Sequence, residues 1–304
     1  MLQRLSIVLD SIKFAHSIFA LPFALLAMIV AAGGLPPPLV IALIVVCMVA
    51  GRSAAMAFNR LADRDIDATN PRTKTRPSVT GAVSPKFLLG FILVCAAIFV
   101  AAAGALNTVC LILALPVLAI LLGYSLSKRF TPLCHFWLGL SLGLAPLGAH
   151  LAVRGDLQPI VGLAERWGFS FELFPILLGA TVLCWVAGFD LIYACQDYEI
   201  DLKDPRVRSL PKSIGVANAL RVSSLLHFIA VALLIACGIY ASMGIWYYVA
   251  VALVSALLVY EHWIVSPTDL SRVNVAFFTI NGVVSLLLFA AVLIERVIIP
   301  ALHA

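Results

Sequence analysis

Nine stretches of roughly 20 mainly apolar residues recur along the 304-residue chain, each long enough for a helix to cross the ~30 Å hydrocarbon layer of a bilayer. They run over 15–33, 38–59, 86–104, 107–125, 133–152, 173–193, 219–240, 244–264 and 274–298. Lipid offers no hydrogen bonds to an exposed backbone, so segments of this kind are helical. The expected fold is therefore all-α: a polytopic membrane protein of nine transmembrane helices around a central cavity, with residues 1–304 as a single domain. A soluble domain is excluded by 63% hydrophobic and only 12% charged residues. The first stretch reads as a span, not a cleaved leader, because no small-residue cleavage site precedes a soluble body.

Charge sets the expected orientation. Sixteen of the 20 Lys and Arg fall in the amino-terminal segment and in four alternate loops: Arg60 to Lys86, Lys128 and Arg129, Lys203 to Arg221, and Arg272. The positive-inside rule places these segments in the cytoplasm and the chain in a cell inner membrane. The net charge of +5 thus serves topology, and no nucleic-acid partner is expected. The opposite connections are short hairpins, except Arg154 to Glu172, which reads as an interfacial segment. Seven scattered cysteines form no C-x-x-C pair and read as small buried hydrophobes.

Two acidic clusters stand on the cytoplasmic side. The first, Asn59-Arg60-Leu61-Ala62-Asp63-Arg64-Asp65-Ile66-Asp67, spaces Asn59, Asp63 and Asp67 four apart, on one face if the helix continues. The second runs from Asp190 to Asp201, with Asp190, Asp197 and Asp201 at i, i+7 and i+11, again one face. Asp190 follows an apolar run at the membrane edge, where an ionisable residue is costly. Asp65 and Glu199 point away from these faces and read as solvated. Both clusters are followed after two spans by a cytoplasmic loop opening with Tyr: Asn59 to Tyr124 spans 65 residues and Asp197 to Tyr260 spans 63. This spacing hints at two pseudo-repeated halves.

Basic residues interleave with or follow the acids: Arg60, Arg64, Arg72, Lys74, Arg76, Lys203, Arg206, Arg208 and Lys212. Carboxylates suit magnesium, which also takes phosphate oxygens and water, and Lys and Arg suit the remaining phosphate oxygens. A diphosphate neutralised in this way is a better leaving group. Its departure from an allylic carbon leaves a cation that an electron-rich ring attacks. Mixed-charge loops are often merely solvated, but two same-side clusters with the same four-residue spacing argue against coincidence.

The run Asn59-x-x-x-Asp63-x-x-x-Asp67, continuing through Asn70-Pro71-Arg72-Thr73 to Arg76-Pro77 and Gly81, resembles the first signature of the UbiA superfamily of intramembrane prenyltransferases. Asp190-x-x-Tyr193-Ala194-x-x-Asp197-x-x-x-Asp201, followed by Ser209, is similar to the second. Tyr124-Ser125-Leu126-Ser127-Lys128-Arg129-Phe130 resembles the family's Tyr-x-x-x-Lys-Arg loop, and Phe14 to Phe23 its first-helix entrance. The resemblance covers nearly the whole chain and is closest to the 4-hydroxybenzoate polyprenyltransferase branch, including its relatives in menaquinone synthesis. It implies a Mg2+-dependent enzyme of ubiquinone or menaquinone biosynthesis, with polyprenyl diphosphate and a small aromatic acid as substrates. Asn59, Asp63, Asp67, Asp197 and Asp201 would hold the metal, with Asp190 also catalytic. Arg72, Arg76, Tyr124, Lys128, Tyr193 and Lys203 would bind substrate. One departure is Arg60, where many members carry Asp.

Arg52 lies inside a span seven residues before Asn59, on the same helical face. It either meets the carboxylate of the acceptor or pairs with a buried Asp. Two other classes remain as alternatives. A CDP-alcohol phosphotransferase also uses intramembrane Asp clusters, but the expected Asp-Gly-x-x-Ala-Arg pattern is absent. A cation-coupled transporter usually carries its carboxylates at midplane on broken helices.

Overall fold

The computed structural model describes residue 8 and residues 19–155 and 172–303. The apolar stretches form helices α1 (Leu21–Ala32), α2 (Pro38–Ala62), α3 (Pro85–Leu106), α4 (Thr108–Ser127), α5 (Cys134–Arg154), α6 (Leu173–Ala194), α7 (Val216–Tyr240), α8 (Ile245–Trp263) and α9 (Val275–His303). Eight of these, α2 to α9, are long and apolar enough to span a membrane, and the chain is a multi-pass membrane protein. Helix α1 covers only part of the first expected span. Residues 15–18 of that span, the Phe14 to Ile18 portion of the entrance motif and nearly all of the Arg154 to Glu172 segment lie outside the described residues.

Local chemistry sets the helix ends. Pro38 and Pro85 open α2 and α3, at positions where a missing N–H costs nothing. Asn107 caps α4 by accepting from the Cys110 N–H at 2.8 Å. Gly33 and Gly155 close α1 and α5 in the left-handed conformation at φ 66° and 74°.

Neighbouring helices pack in sequence, and α1 leans against α5 and α9. At the junction of α5 with α6, small residues replace knobs and holes. A Cβ on Gly139 would stand 2.4 Å from the Leu183 carbonyl oxygen, and one on Gly143 2.6 Å from that of Gly179. The two backbones touch, as small-xxx-small seams between membrane helices allow. Outward faces carry Leu93, Ile112, Leu115, Phe228 and Val259, all exposed and suited to lipid. The described cysteines are all free thiols, buried or half-buried.

Helix α9 begins with a π-helical stretch, Val275–Ile280, which displaces backbone carbonyls from the regular ladder. The Asn281 side chain mends it, donating to the Ala276 carbonyl at 2.9 Å and to Glu261 Oε1 at 3.1 Å while accepting from Trp185 Nε1 at 2.6 Å. Glu261 is fully buried in α8, an intramembrane acid that helical patterning did not single out.

The two tyrosines matched by the repeat spacing sit in unlike places. Tyr124 lines an internal cavity, whereas Tyr260 is exposed and packs on Trp263.

Candidate active site

The first cluster lies where α2 ends. Its helix stops at Ala62, and Asp63 turns out of the helical backbone at φ −91°, ψ 3° before a single turn, Arg64–Asp67. The Asp63 and Asp67 N–H groups still donate to the carbonyls of Asn59 and Asp63, at 2.9 and 2.7 Å, so the four-residue spacing carries across a one-residue irregularity. Asn59 Nδ2 donates to Asp63 Oδ2 at 2.7 Å, and Lys128 Nζ, arriving from the end of α4, meets the same oxygen at 2.7 Å. Asp63 is 1% exposed, and its Oδ1 is buried with no hydrogen-bond partner. Burial pushes its carboxyl above the usual range, partly opposed by the Lys128 ammonium.

Arg60 alters the role expected of Asn59. Its Nη1 donates to Asn59 Oδ1 at 2.8 Å, which occupies one of that oxygen's two lone pairs. Asn59 thus links Arg60 to Asp63, and its Oδ1 keeps one lone pair beside the carboxylate. Asp65 is exposed, as expected, and also pairs with Arg129 Nη2 at 2.6 Å, a partner that lowers its carboxyl pKa. Asp67 takes both its bonds from Arg76 Nη1, at 2.8 and 2.7 Å.

The second cluster has a like irregularity. After α6 a 3-10 turn, Cys195–Asp197, precedes the short helix Tyr198–Lys203, so the expected single face is interrupted. Asp197 and Asp201 continue into the polar region, where Ser209 Oγ donates to Asp201 Oδ2 at 3.0 Å. Asp190 departs from them. Its Oδ2 lies 2.7 Å from His135 Nδ1 on α5, while the backbone N–H of Leu210 reaches His135 Nε2 at 3.4 Å, a pattern that puts the imidazole proton on Nδ1. His135 was not legible beforehand, since a lone His in an apolar stretch carries no spacing signal. Lys203 also departs: it is exposed and enters no ion pair among the described residues.

The loop after the first cluster joins the two. Arg72 grips Asp197 with Nε and Nη2 at 3.2 and 2.5 Å, donates from Nη1 to the Tyr193 hydroxyl at 3.1 Å, and lies 5.3 Å over the Tyr193 ring. Asn70 Nδ2 adds a bond to Asp197 Oδ1 at 3.1 Å. Tyr193 rests on Phe277, 4.2 Å between centroids, at the π-helical start of α9.

Below this polar end an apolar cavity of about 410 Å³ opens between α2, α3, α4 and α5. Arg52 and Tyr124 are among the few polar residues that line it, and Arg52 Nε is buried with no hydrogen-bond partner. Arg52 enters no ion pair among the described residues, so no buried Asp claims it.

Among the described residues, no three His, Cys, Asp or Glu side chains stand close enough to hold a metal by themselves. Magnesium asks for less: one or two carboxylates, the rest being water and phosphate oxygen. The buried, unpartnered Oδ1 of Asp63 and the all-oxygen donor set fit such an ion.

A bundle of spanning helices with a carboxylate and guanidinium site at one end, above an apolar cavity, defines an intramembrane enzyme for a substrate that is part lipid and part anion. The profile of the UbiA prenyltransferase family matches residues 20–283, and the chain belongs to that family. It is 30% identical to the 4-hydroxybenzoate octaprenyltransferase of Aromatoleum aromaticum, over 90% of this chain and 88% of the relative. It is 28% identical to that of Nitrosomonas eutropha, over 88% of each. Among solved structures, the apo form of a UbiA homologue from Aeropyrum pernix K1 superposes with a TM-score of 0.81 at 35% identity, covering 92% of this chain and 98% of that one. A UbiA homologue from Archaeoglobus fulgidus bound to DMAPP and Mg2+ shares the fold, with a TM-score of 0.66 at 21% identity over 94% and 98%. The protein is a UbiA-type prenyltransferase, which sets aside the phosphotransferase and transporter alternatives.

Proposed function

We propose that the protein transfers a polyprenyl group from an allylic diphosphate to a small aromatic acid of the 4-hydroxybenzoate or hydroxynaphthoate type, in a magnesium-dependent step of quinone biosynthesis. The observation that carries this reading is the juxtaposition of Asp63, with one buried oxygen free, and a cavity whose polar end is the unpartnered Arg52. The reading treats residues 1–304 as one catalytic domain in a cell inner membrane, with the site facing the cytoplasm where the basic loops lie.

Asp63, Asp67, Asp197 and Asp201 would hold magnesium. When bound, the ion neutralises the charge that develops on the leaving diphosphate. Asn59 orients Asp63 through its 2.7 Å bond. Lys128, Arg72 and Arg76 each sit on a carboxylate and turn to diphosphate oxygens when the substrate arrives, exchanging one anion for another. Tyr193 steers Arg72 through its hydroxyl and ring. Arg52 receives the acceptor's carboxylate, and Tyr124 bounds the ring from α4. The apolar cavity takes the prenyl chain and keeps water from the allylic cation. Asp190, held by His135, would accept the proton that the ring loses once the new carbon–carbon bond has formed.

The test is an incubation of membranes containing the protein with magnesium, radiolabelled 4-hydroxybenzoate or dihydroxynaphthoate, and prenyl diphosphates, with an EDTA control. A labelled lipid that vanishes with EDTA supports the reading and names the acceptor. The absence of product from both acids, with the protein shown to be folded, removes the aromatic-acid assignment.

A further inference from the structure

We propose that Glu261, the acid buried in α8, is a positioning residue for the diphosphate end of the site: through Asn281 it holds the aromatic seat on which Tyr193 and Arg72 rest. The inference rests on the functional reading above and deepens it by naming what keeps Arg72 aligned.

A carboxyl group inside a bundle of membrane helices is costly and persists where it serves a purpose. Glu261 is fully buried, and its one hydrogen bond among the described residues is accepted by Oε1 from Asn281 Nδ2 at 3.1 Å. Its Oε2 has none and lies 3.9 Å from His227 Nδ1. The acid is thus placed to serve Asn281. That amide has a defined orientation, because the Trp185 indole can only donate and it occupies Asn281 Oδ1 at 2.6 Å. The two N–H bonds of Nδ2 then go to the Ala276 carbonyl and to Glu261, with the Phe277 carbonyl 3.4 Å away. Without Glu261 Oε1, one of them has no partner in a dry interior, and the amide loses its single fully satisfied arrangement.

Asn281 touches both walls of one aromatic seat. The carbonyls that it holds belong to the π-helical stretch carrying Phe277, and the indole that it holds packs on Phe189, 5.0 Å between centroids. Phe277 and Phe189 meet edge to face at 5.1 Å, and Phe277 lies 4.2 Å from the Tyr193 ring. The next ring, Phe278, also reaches Tyr193, at 6.0 Å, so two consecutive residues of the π-helical stretch support it. Tyr193 takes a hydrogen bond from Arg72, and Arg72 grips Asp197. From Glu261 to Asp197 every step is a hydrogen bond or a ring contact. Contact alone does not establish coupling between the two ends, so the test measures that coupling.

The experiment measures the Kd of labelled geranyl diphosphate, with magnesium, on purified protein, and the KM values of donor and aromatic acid in membranes. The variants are Glu261→Leu, Glu261→Gln, Phe277→Leu and Arg72→Ala, with Glu261→Leu and Phe277→Leu also made on Arg72→Ala. Glu261→Leu is expected to raise the Kd and the donor KM about tenfold, while the KM of the acid stays within about twofold of wild type. Glu261→Gln keeps a carbonyl oxygen for Asn281 and should hold all three within about twofold of wild type. On Arg72→Ala, the cost of Glu261→Leu should shrink to about twofold or less, whereas a purely structural role costs the same with or without Arg72. Where Glu261→Leu does not fold, Phe277→Leu, which leaves the Glu261–Asn281 bond in place, must show the same loss and the same coupling to Arg72. A wild-type Kd in Glu261→Leu or in Phe277→Leu, an equal loss with and without Arg72, or a Glu261→Gln as impaired as Glu261→Leu overturns the proposal. A wild type that binds geranyl diphosphate with this Glu261 dependence but alkylates neither acid overturns the acceptor reading alone, and one that binds no prenyl diphosphate overturns both.

Discussion

Arg72 and Asp197 lie 125 positions apart in sequence, yet their side chains form a two-pronged ion pair, with Nε on Oδ1 at 3.2 Å and Nη2 on Oδ2 at 2.5 Å. The pair joins the loop after α2 to the end of α6. It also explains why Arg rather than Lys stands at 72, since a single ammonium cannot hold both oxygens and stack on Tyr193. Arg72→Lys is therefore expected to lower kcat/KM despite keeping the charge. A double-mutant cycle with Asp197→Asn should show coupling: the second substitution costs much less once the first is present. Additive losses would mean that the pair does not act as a unit.

Asp63 combines near-complete burial with an oxygen that nothing in the protein engages. Asp63→Ala and Asp197→Ala should each reduce prenyl transfer by about 10²–10³-fold or more, the usual scale for losing one preorganised electrostatic contact. Both proteins should remain in the membrane fraction at wild-type levels. Full activity in both variants would remove the acidic clusters from the chemistry.

Metal removal is the third test. Chelation with EDTA should abolish product formation, and added magnesium should restore it, because hard oxygen donors match that ion and the diphosphate needs neutralising as it leaves. Turnover that persists in EDTA would show that Lys128, Arg72 and Arg76 suffice alone.

Arg52 tests the acceptor. With its Nε unpartnered at the polar end of the cavity, Arg52→Leu should raise KM for the aromatic acid about tenfold or more, the scale of a charge-assisted hydrogen bond, with a smaller effect on KM for the prenyl diphosphate. Equal effects on both substrates would assign Arg52 to the site in general.

The seam between α5 and α6 supplies a stability test. A Cβ on Gly143 would lie 2.6 Å from the Gly179 carbonyl oxygen, so Gly143→Leu must separate two helix backbones. The expected result is a loss of about 1–3 kcal/mol or more, read as a lower thermal midpoint in detergent, with Gly148→Leu unaffected because its Cβ meets open space.

Much of this was legible in the sequence, because hydropathy over 20 residues is a strong signal and lipid leaves the backbone few choices. The acidic stretches and Arg52 stood out by type and spacing, and Arg72, Arg76, Lys128 and Tyr124 through the resemblance to the UbiA signatures. The partners were harder to see. Asp190 and His135 belong to different helices, and nothing in either local sequence announces their contact. Asn59 shares its oxygen with the residue beside it, a consequence of the rotamer of Arg60 that spacing does not encode. The irregularity at Asp63 and the 3-10 turn at Cys195–Asp197 occur without Gly or Pro, so neither has a local signal in the sequence. Asn281 escaped notice because its role is to satisfy carbonyls released by a π-helical stretch.

The pairs Arg72–Asp197, Arg76–Asp67 and Lys128–Asp63 have a further consequence at the level of the membrane voltage. A charge held within the field of a bilayer feels about 2.3 kcal/mol per elementary charge per 100 mV. Three acids matched by three bases present almost no net charge to that field. These three pairs are in that sense electrically quiet, so swings in membrane potential have little purchase on the contacts that tie the two clusters to their loops.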